Sequence, residues 1–181
     1  MRLNSPQINL ITRACMKASR SLIRDFGEIE NLQVSKKGPK DFVTNSDLRA
    51  DKIIIEELKK SRPNYSIVSE ENGIENNKDS KNTWIIDPID GTINFIHGIP
   101  HFAISIALKK NDEIVSGLIF DRIKNELFFA VKVCGEFFNN QRIRVSKKNL
   151  INDCLFVTGG KQKKEIDLPY RKTGCAALDM A

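Results

Sequence analysis

Apolar residues recur every three or four positions in two stretches of the first third of the chain, and this spacing predicts two amphipathic helices. The first is predicted from Ser5 to about Phe26, and the second from near Ser46 to about Lys60. Both are expected to pack their apolar faces on a mostly antiparallel β-sheet. The apolar face of the second helix is predicted to contain Leu48, Ile54, Ile55 and Leu58.

Runs of β-branched and aromatic residues predict strands outside these helices. Phe42–Thr44 is predicted to be a short extended piece, Tyr65–Ser69 a strand and Trp84–Ile86 a buried strand. The polar segment Asn72–Lys81 is predicted to be a mobile loop.

From His101 onward the pattern changes to one typical of antiparallel strands joined by hairpins. A later strand is predicted at Leu155–Thr158, followed by a charged loop through Asp167 and a helix-favouring run within Thr173–Ala181. The predicted hairpin strands are Phe102–Leu108, Glu113–Phe120, Glu126–Val131 and Arg142–Val145.

Composition adds a broad class to this outline. The 181 residues are 40% hydrophobic and 29% charged, as in soluble globular proteins. The sequence has neither an apolar run of membrane-spanning length nor a signal region, so we expect a cytoplasmic protein without a membrane partner. Its four cysteines form no C-x-x-C pair, which predicts reduced and mostly buried thiols.

The net charge of +6 admits several interpretations. Lys and Arg occur in twos and threes without interleaved aromatic residues, which favours a solvated basic surface. Attraction of anionic substrates and contact with nucleic acid stay open, although nucleic acid is not the expected partner.

The stretch Trp84–Phe95, W-I-I-D-P-I-D-G-T-I-N-F, holds the clearest candidate chemistry. Asp87 and Asp90 lie on either side of a proline that should stop the strand ladder, so both carboxylates can converge in a turn. Oxygen ligands of this kind suit Mg²⁺, and the N–H groups of Gly91 and Thr92 would seat a phosphate at a helix start. The same residues also occur in ordinary turns and helix caps.

Four motifs, in this order, extend the pattern along the chain. They are D-F-V-T-N-S-D (Asp41–Asp47), S-E-E (Ser69–Glu71), W-I-I-D-P-I-D-G-T-I-N-F-I-H-G-I-P-H-F (Trp84–Phe102) and R-K-T-G-C-A-A-L-D-M-A (Arg171–Ala181). Together they resemble the inositol monophosphatase family, the Mg²⁺-dependent, lithium-sensitive phosphomonoesterases related to fructose-1,6-bisphosphatase. The resemblance implies hydrolysis of a small phosphorylated metabolite, most simply a myo-inositol monophosphate, by a homodimer.

The resemblance also implies a metal site of two or three Mg²⁺ ions. Glu70, Asp87 and the backbone carbonyl of Ile89 would hold the first ion. Asp87 and Asp90 would contribute to the second, with Asp87 bridging the two.

Catalytic and substrate-binding roles follow from the same resemblance. Glu70 and Thr92 would orient and deprotonate the attacking water, with Asp47 supporting the Thr92 hydroxyl, which is too weak an acid to act alone. The substrate-binding positions implied by the family are Gly91, Thr92, Gly174, Cys175 and Ala176.

Individual positions refine the comparison with the family. Asn94 favours the inositol-phosphatase subgroup over relatives that carry an acid there and act on adenosine bisphosphates. Ile93 stands where Thr is usual and is expected to pack against apolar neighbours in the second turn of a helix. His97 and His101 are expected to be loop or packing residues, and Cys175 is not expected to be an activated thiolate.

The family resemblance implies a layered α/β fold: an α-β-α-β sandwich of the inositol monophosphatase/fructose-1,6-bisphosphatase type with an α+β N-terminal half. We expect residues 1–146 to form the α+β domain with the antiparallel sheet and the metal and phosphate site. Residues 147–181 are expected to begin a C-terminal α/β domain. The final third of the family pattern, with an Asp of the second metal site and an acid that contacts the sugar hydroxyls, is expected to be missing.

Two alternative functions stay open from the sequence. One is a non-catalytic or regulatory protein on the same fold, associated with RNA or transcription. The other is a relative that acts on adenosine 3′,5′-bisphosphate, fructose bisphosphate or histidinol phosphate.

Overall fold

The structure is a computed structural model that describes residues 5–28, 34–38, 41–158 and 168–181. The helices are α1 (Pro6–Gly27), α2 (Asn45–Ser61), α3 (Thr92–Ile96) and α4 (Ala176–Met180), with a 3₁₀ turn at Ile151–Asp153. The strands are β1 (Val34–Gly38), β2 (Asp41–Thr44), β3 (Tyr65–Ser69), β4 (Gly73–Glu75), β5 (Asp79–Asp90), β6 (Ala103–Lys110), β7 (Glu113–Asp121), β8 (Glu126–Val131), β9 (Gly135–Phe138), β10 (Gln141–Arg142), β11 (Phe156–Val157) and β12 (Tyr170–Arg171).

Both long helices are capped at their N-termini by side chains. Ser5 caps α1 by accepting the N–H of Ile8, and Pro6 stands at the first turn, where its missing N–H costs nothing. α2 begins with a capping box in which Thr44 accepts the N–H of Asp47 and Asp47 accepts the N–H of Thr44. The predicted bounds of both helices are confirmed to within two residues.

One eight-stranded sheet organises the described part of the chain, in the order β10-β9-β8-β7-β6-β5-β3-β4. Neighbouring strands in this sheet pair antiparallel, except for β3 and β5, which pair parallel. β1 and β2 form a separate antiparallel ribbon, and β11 and β12 a parallel pair. The mixed α/β architecture agrees with the predicted fold class.

The main hydrophobic core lies between α1, α2 and one face of this sheet. Alternate residues of the central strands point into it, as the pleat of a strand requires. Burying each large apolar side chain contributes roughly 1.5–3 kcal/mol. Its largest fully buried members include Ile11, Leu22, Ile54, Leu58, Trp84 and Ile104.

The predicted apolar face of α2 is partly wrong. Ile54 and Leu58 are fully buried and Ile55 packs against the core, but Leu48 is 44% exposed. Asp47 is buried in the first turn of the helix, and Leu48, the next residue, faces outward.

Several predicted strand bounds also need correction. The expected loop Asn72–Lys81 contains β4, which pairs with β3, and the first residues of β5. The sequence analysis missed β9 altogether and predicted a strand at Arg142–Val145, whereas pairing in β10 covers only Gln141–Arg142. β9 is four residues long, so no partner remains for Val145, which is 92% exposed.

The remaining sequence expectations have mixed outcomes. The predicted strand at Leu155–Thr158 and the final helical run are confirmed as β11 and α4, and the charged loop between them lies outside the described residues. The division into domains at residue 146 stays a prediction. All four cysteines are free thiols, but only Cys15 and Cys175 are buried, whereas Cys134 is exposed. Within the described ranges, no helix has the length and apolar character needed to span a membrane.

Candidate active site

A β-bulge at the end of β5 forms the centre of the candidate site. Asp87 pairs with Ser105 and Asp90 with Ala103, so Pro88 and Ile89 are left between two matched pairs. Pro88 has no N–H to donate to the ladder. The N–H of Ile89 donates to Asp87 Oδ1 at 3.1 Å and not to the neighbouring strand. The ladder is therefore interrupted at Pro88, as predicted, but pairing resumes at Asp90. A bulge of this kind bends the strand and redirects its side chains.

The parallel pairing of β3 and β5 brings a second acidic segment to this bulge. Ser69 pairs with Ile86, so the two strands end side by side. The N–H of Glu70 donates to the carbonyl of Ile86 at 3.1 Å. This places the backbone of Glu70 beside the end of β5, next to Asp87.

The carboxyl of Asp87 shows the electrostatic consequence. Burial, together with the charges of Glu70 and Asp90, raises the pKa of Asp87 well above its usual range. A partly buried carboxyl with two further acids near enough to raise its pKa fits a hard divalent cation in donor type and in charge, because such a cation removes the repulsion between the acids. In the described parts of the chain, no three His, Cys, Asp or Glu side chains form a ready-made metal cluster, so the fit rests on donor chemistry.

Helix α2 contributes Asp47 to the same place. The Thr92 hydroxyl lies 3.3 Å from Asp47 Oδ1 and 3.0 Å from the Ile89 carbonyl oxygen, so two acceptors share one proton. Asp47 is 1% exposed, and its burial raises the pKa of its carboxyl to about 6. The predicted contact between Asp47 and Thr92 is thus present.

Aromatic packing holds the short helix that carries Thr92. The rings of Phe26, Phe95 and Phe102 contact one another with centroids 4.9 to 5.7 Å apart. They join the end of α1, α3 and the start of β6. Because α3 has only five residues, this packing and not helix propensity keeps it in place.

The segment before α4 closes the other side of the bulge. Asp90 Oδ2 accepts the backbone N–H of Ala177 and lies 3.4 Å from Cys175 Sγ. Gly91 has φ +97°, and a Cβ there would lie 3.1 Å from the His101 carbonyl oxygen and 3.3 Å from Cys175 Cβ. The backbone can approach this closely only where the residue is glycine.

Of the three predicted pocket residues in this segment, Gly174 and Cys175 lie against the Asp87–Thr92 region. A Cβ on Gly174 would lie 3.1 Å from the side-chain amide of Asn94. Ala176 is exposed at the start of α4. The structure thus brings the first two to the site and leaves the third at its rim.

Asn94 does more than the sequence analysis recognised. Its Nδ2 donates to the carbonyls of His101 at 2.7 Å and Thr173 at 2.9 Å, and so ties α3 to the segment before α4. No local signal in the sequence predicts these bonds, because Thr173 lies 79 residues from Asn94. Asp51, whose carboxyl accepts the hydroxyl of Ser69, was also not predicted.

Other expectations around the site have clear outcomes. Ile93 was expected to pack against apolar neighbours, but it is 47% exposed because α3 ends before a second turn is complete. His97 is exposed, with Nδ1 2.8 Å from the Ile93 carbonyl, which is a loop role. Burial raises the pKa of the Cys175 thiol to about 12, in agreement with the expected unreactive thiol.

Comparison with known proteins gives a consistent result. The family model described as "Inositol monophosphatase family" matches residues 4–177. An inositol-1-monophosphatase of Rhizobium meliloti is 42% identical over 192 residues, which cover 98% of this chain and 72% of that protein. One from Mesorhizobium japonicum is 46% identical over 155 residues, with 86% of this chain and 58% of that protein covered. The Nus factor SuhB of Haemophilus influenzae is 37% identical, with 97% and 72% covered.

Solved structures show the same fold. The extragenic suppressor protein suhB of Bartonella henselae superposes with a TM-score of 0.92 at 44% identity, covering 97% of this chain and 73% of that one. An IMPase of Thermotoga maritima gives a TM-score of 0.85 at 34% identity, with 97% and 71% covered. The predicted layered sandwich is confirmed by these matches.

Proposed function

The chain belongs to the inositol monophosphatase family of phosphomonoesterases, and we propose that it hydrolyses myo-inositol monophosphate to inositol and phosphate. The observation that carries the proposal is that the charges of Glu70 and Asp90 both act on the Asp87 carboxyl, where β3 and β5 end side by side. The negative charge of these acids repels an anionic substrate unless a cation is bound. This requirement favours a metal-dependent reaction on a phosphate ester.

We propose Mg²⁺ as the cation, in the two or three ions expected for the family. Glu70, Asp87 and the Ile89 carbonyl would hold one ion, and Asp87 and Asp90 would contribute to a second. When bound, Mg²⁺ supplies positive charge that neutralises the phosphate oxygens. Because β3 and β5 are paired up to Ile86, these donors stand on a rigid part of the sheet.

The chain's own proton acceptor in this proposal is Asp47, acting through Thr92. Ionised Asp47 accepts the hydroxyl proton of Thr92, which leaves the hydroxyl oxygen free to accept a proton from the attacking water. With a pKa near 6, Asp47 is mostly ionised at neutral pH. Glu70 would help to orient the same water.

The substrate would lie between the bulge and the segment before α4. The N–H groups of Gly91 and Thr92 would hold the phosphate, and Gly174, Cys175 and Ala176 would line the sugar-alcohol side. The close approach of Gly91 to Gly174 and Cys175 supports this arrangement.

Phosphate release from inositol 1-phosphate tests the proposal. We expect Mg²⁺-dependent turnover that Li⁺ inhibits, and Asp87→Asn should lower it at least about 100-fold, because several kcal/mol of charge stabilisation are lost. Folding stability should not fall, since burial already disfavours the ionised Asp87. Asp112→Asn, at a fully exposed carboxylate, is the control and should leave turnover unchanged. Equal turnover in both variants would exclude the assigned metal site.

A substrate panel tests the specificity. Adenosine 3′,5′-bisphosphate, fructose bisphosphate and histidinol phosphate should be hydrolysed more slowly than inositol 1-phosphate. Faster hydrolysis of any of them would replace the proposed substrate while leaving the phosphatase activity in place. The homodimer and the cytoplasmic location also stay proposals, and light scattering on the purified chain tests the former.

A second candidate function is contact with nucleic acid. A groove of about 450 Å³ is lined by Lys132, Arg142 and Arg144, with Glu136 as its acid. It lies where β7 begins, at the opposite end of the sheet from Asp87. Several relatives carry the name Nus factor SuhB, which makes an RNA-associated role the natural alternative.

Anisotropy of a labelled single-stranded RNA across a salt series tests this candidate. Binding should weaken steeply with salt, and the double variant Arg142→Gln, Arg144→Gln should bind more weakly with a shallower slope. The double variant Arg20→Gln, Lys52→Gln removes the same charge from exposed positions of α1 and α2 and serves as the control. Equal losses in both double variants, or a flat salt response, would argue against the groove.

A further inference from the structure

Helix α2 faces the site with two acids one turn apart. Asp47 and Asp51 are four residues apart, so both point to the same side of the helix. Asp47 reaches Thr92, as described above. Asp51 is fully buried and reaches a different segment, the turn that follows β3.

The bonds to Asp51 are short and converge on one oxygen. Asp51 Oδ2 accepts the Ser69 hydroxyl at 2.5 Å and the side-chain amide of Asn72 at 2.5 Å. Both donors are thus within hydrogen-bond distance of the same carboxyl oxygen. Asp51 therefore bonds to the first and the last residue of the four-residue turn Ser69–Asn72.

Inside that turn, the Ser69 oxygen also organises the backbone. It accepts the N–H of Glu71 at 3.1 Å and the N–H of Asn72 at 3.3 Å, while the N–H of Glu70 donates to the Ile86 carbonyl. Glu70 is thus held between two anchors, the Ile86 carbonyl beside Asp87 and the Ser69 hydroxyl. The second anchor depends on Asp51.

We infer that Asp51 is a positioning residue: through Ser69 and Asn72 it fixes the turn that presents Glu70 to Asp87. The inference rests on the proposed function, because Glu70 needs this position only if it binds a metal. It assigns to α2 two roles from one face, proton acceptance through Asp47 and placement of a metal ligand through Asp51. Residues that orient metal ligands from behind typically change metal affinity or activity by about 10–100-fold when they are removed.

Terbium luminescence offers a readout that does not depend on turnover. Tb³⁺ takes oxygen ligands, and Trp84, the sole tryptophan in the sequence, lies three residues before Asp87 on β5 and can sensitise it. The measurements are the midpoint for Tb³⁺ binding and its displacement by Mg²⁺. The melting temperature of each variant is recorded in parallel.

We expect Asp51→Ala and Ser69→Ala each to weaken binding about 10–100-fold. The double variant should be little weaker than either, because both remove the same anchor. Asp51→Asn should stay within about 3-fold, since its side-chain oxygen can still accept both bonds. If Asp51→Ala does not fold, Ser69→Ala, which removes only a hydroxyl, decides the question.

Glu57→Gln is the matched control on the same helix. Glu57 is 8% exposed and pairs with Arg13 and Lys17, away from the turn. The Glu57→Gln variant should leave the midpoint for Tb³⁺ binding unchanged, even if its melting temperature changes. Unchanged midpoints in folded Asp51→Ala and Ser69→Ala would overturn the inference alone. Two other results would overturn the proposed function as well: no Tb³⁺ binding by the unaltered protein, or equal Tb³⁺ binding by the unaltered protein and Asp87→Asn.

Discussion

The two halves of helix α2 use their inner faces in opposite ways. In the first half the inward residues are Asp47 and Asp51, which bond to Thr92 and Ser69. In the second half they are Ile54 and Leu58, which are fully buried in the core. One helix thus bonds to the candidate site at its N-terminal end and supplies apolar packing at its C-terminal end. From this difference we expect that stability and chemistry can be altered separately within seventeen residues.

The largest expected effect tests the polar half. Asp47→Asn should lower turnover of inositol 1-phosphate about 10²–10⁴-fold, because an amide can accept the hydrogen bond of Thr92 but, unlike a carboxylate, cannot take up a proton relayed through it. Initial rates at saturating Mg²⁺ measure the effect. Glu56→Gln, on the exposed side of the same helix, is the control and should keep full activity. More than half of the activity remaining in Asp47→Asn would remove Asp47 from the mechanism.

The next effect tests the apolar half. Ile54→Ala should lower the free energy of unfolding by about 2–5 kcal/mol, because it leaves a cavity in a fully buried place. Urea denaturation measures the loss. Turnover per folded molecule should stay unchanged at a temperature where the variant is folded. A fall in turnover comparable to that of Asp47→Asn would show that the halves are not separable.

The smallest effect concerns the pH dependence of the polar half. Burial raises the pKa of Asp47 from 3.8 to about 6, so folding favours its protonated form. The stability this gives is present below about pH 4 and is lost as the pH rises through 6. Asp47→Asn lacks this titrating carboxyl, so it should become more stable relative to the unaltered protein as the pH rises. The difference between their free energies of unfolding should grow by up to about 3 kcal/mol between pH 4 and 7. Urea denaturation at four pH values measures this difference, and a constant difference would contradict the buried-acid account.

Local features of the sequence account for much of the fold. Both long helices and β3 follow from residue periodicity, and Pro88 marks the interruption in the ladder of β5 although the strand continues to Asp90, because such signals act within a few residues. The failures lie where local signals were weak. β9 is four residues long and starts at a glycine, and Leu48 satisfied the helical spacing although it lies on the exposed side of α2.

The candidate acids could be named from their motif, but the bonds that position them could not. Ser69 and Asp51 are 18 residues apart, and Asn94 and Thr173 are 79 apart. No periodicity relates such pairs, since they meet only after β3 has paired with β5 and α4 has reached the bulge.

By itself, the sequence determined the two long helices, because residue spacing limits local geometry. Its motifs, through their resemblance to the family, determined the family and named Glu70, Asp87 and Asp90 as candidate acids. Tertiary structure alone decided that α2 turns Asp47 and Asp51 inward, that Asp90 also accepts the N–H of Ala177, and that burial raises the pKa of Asp47. The physical reason is that burial and hydrogen bonding depend on neighbours brought together by sheet pairing. Those neighbours are distant in the sequence, and only the folded chain specifies them.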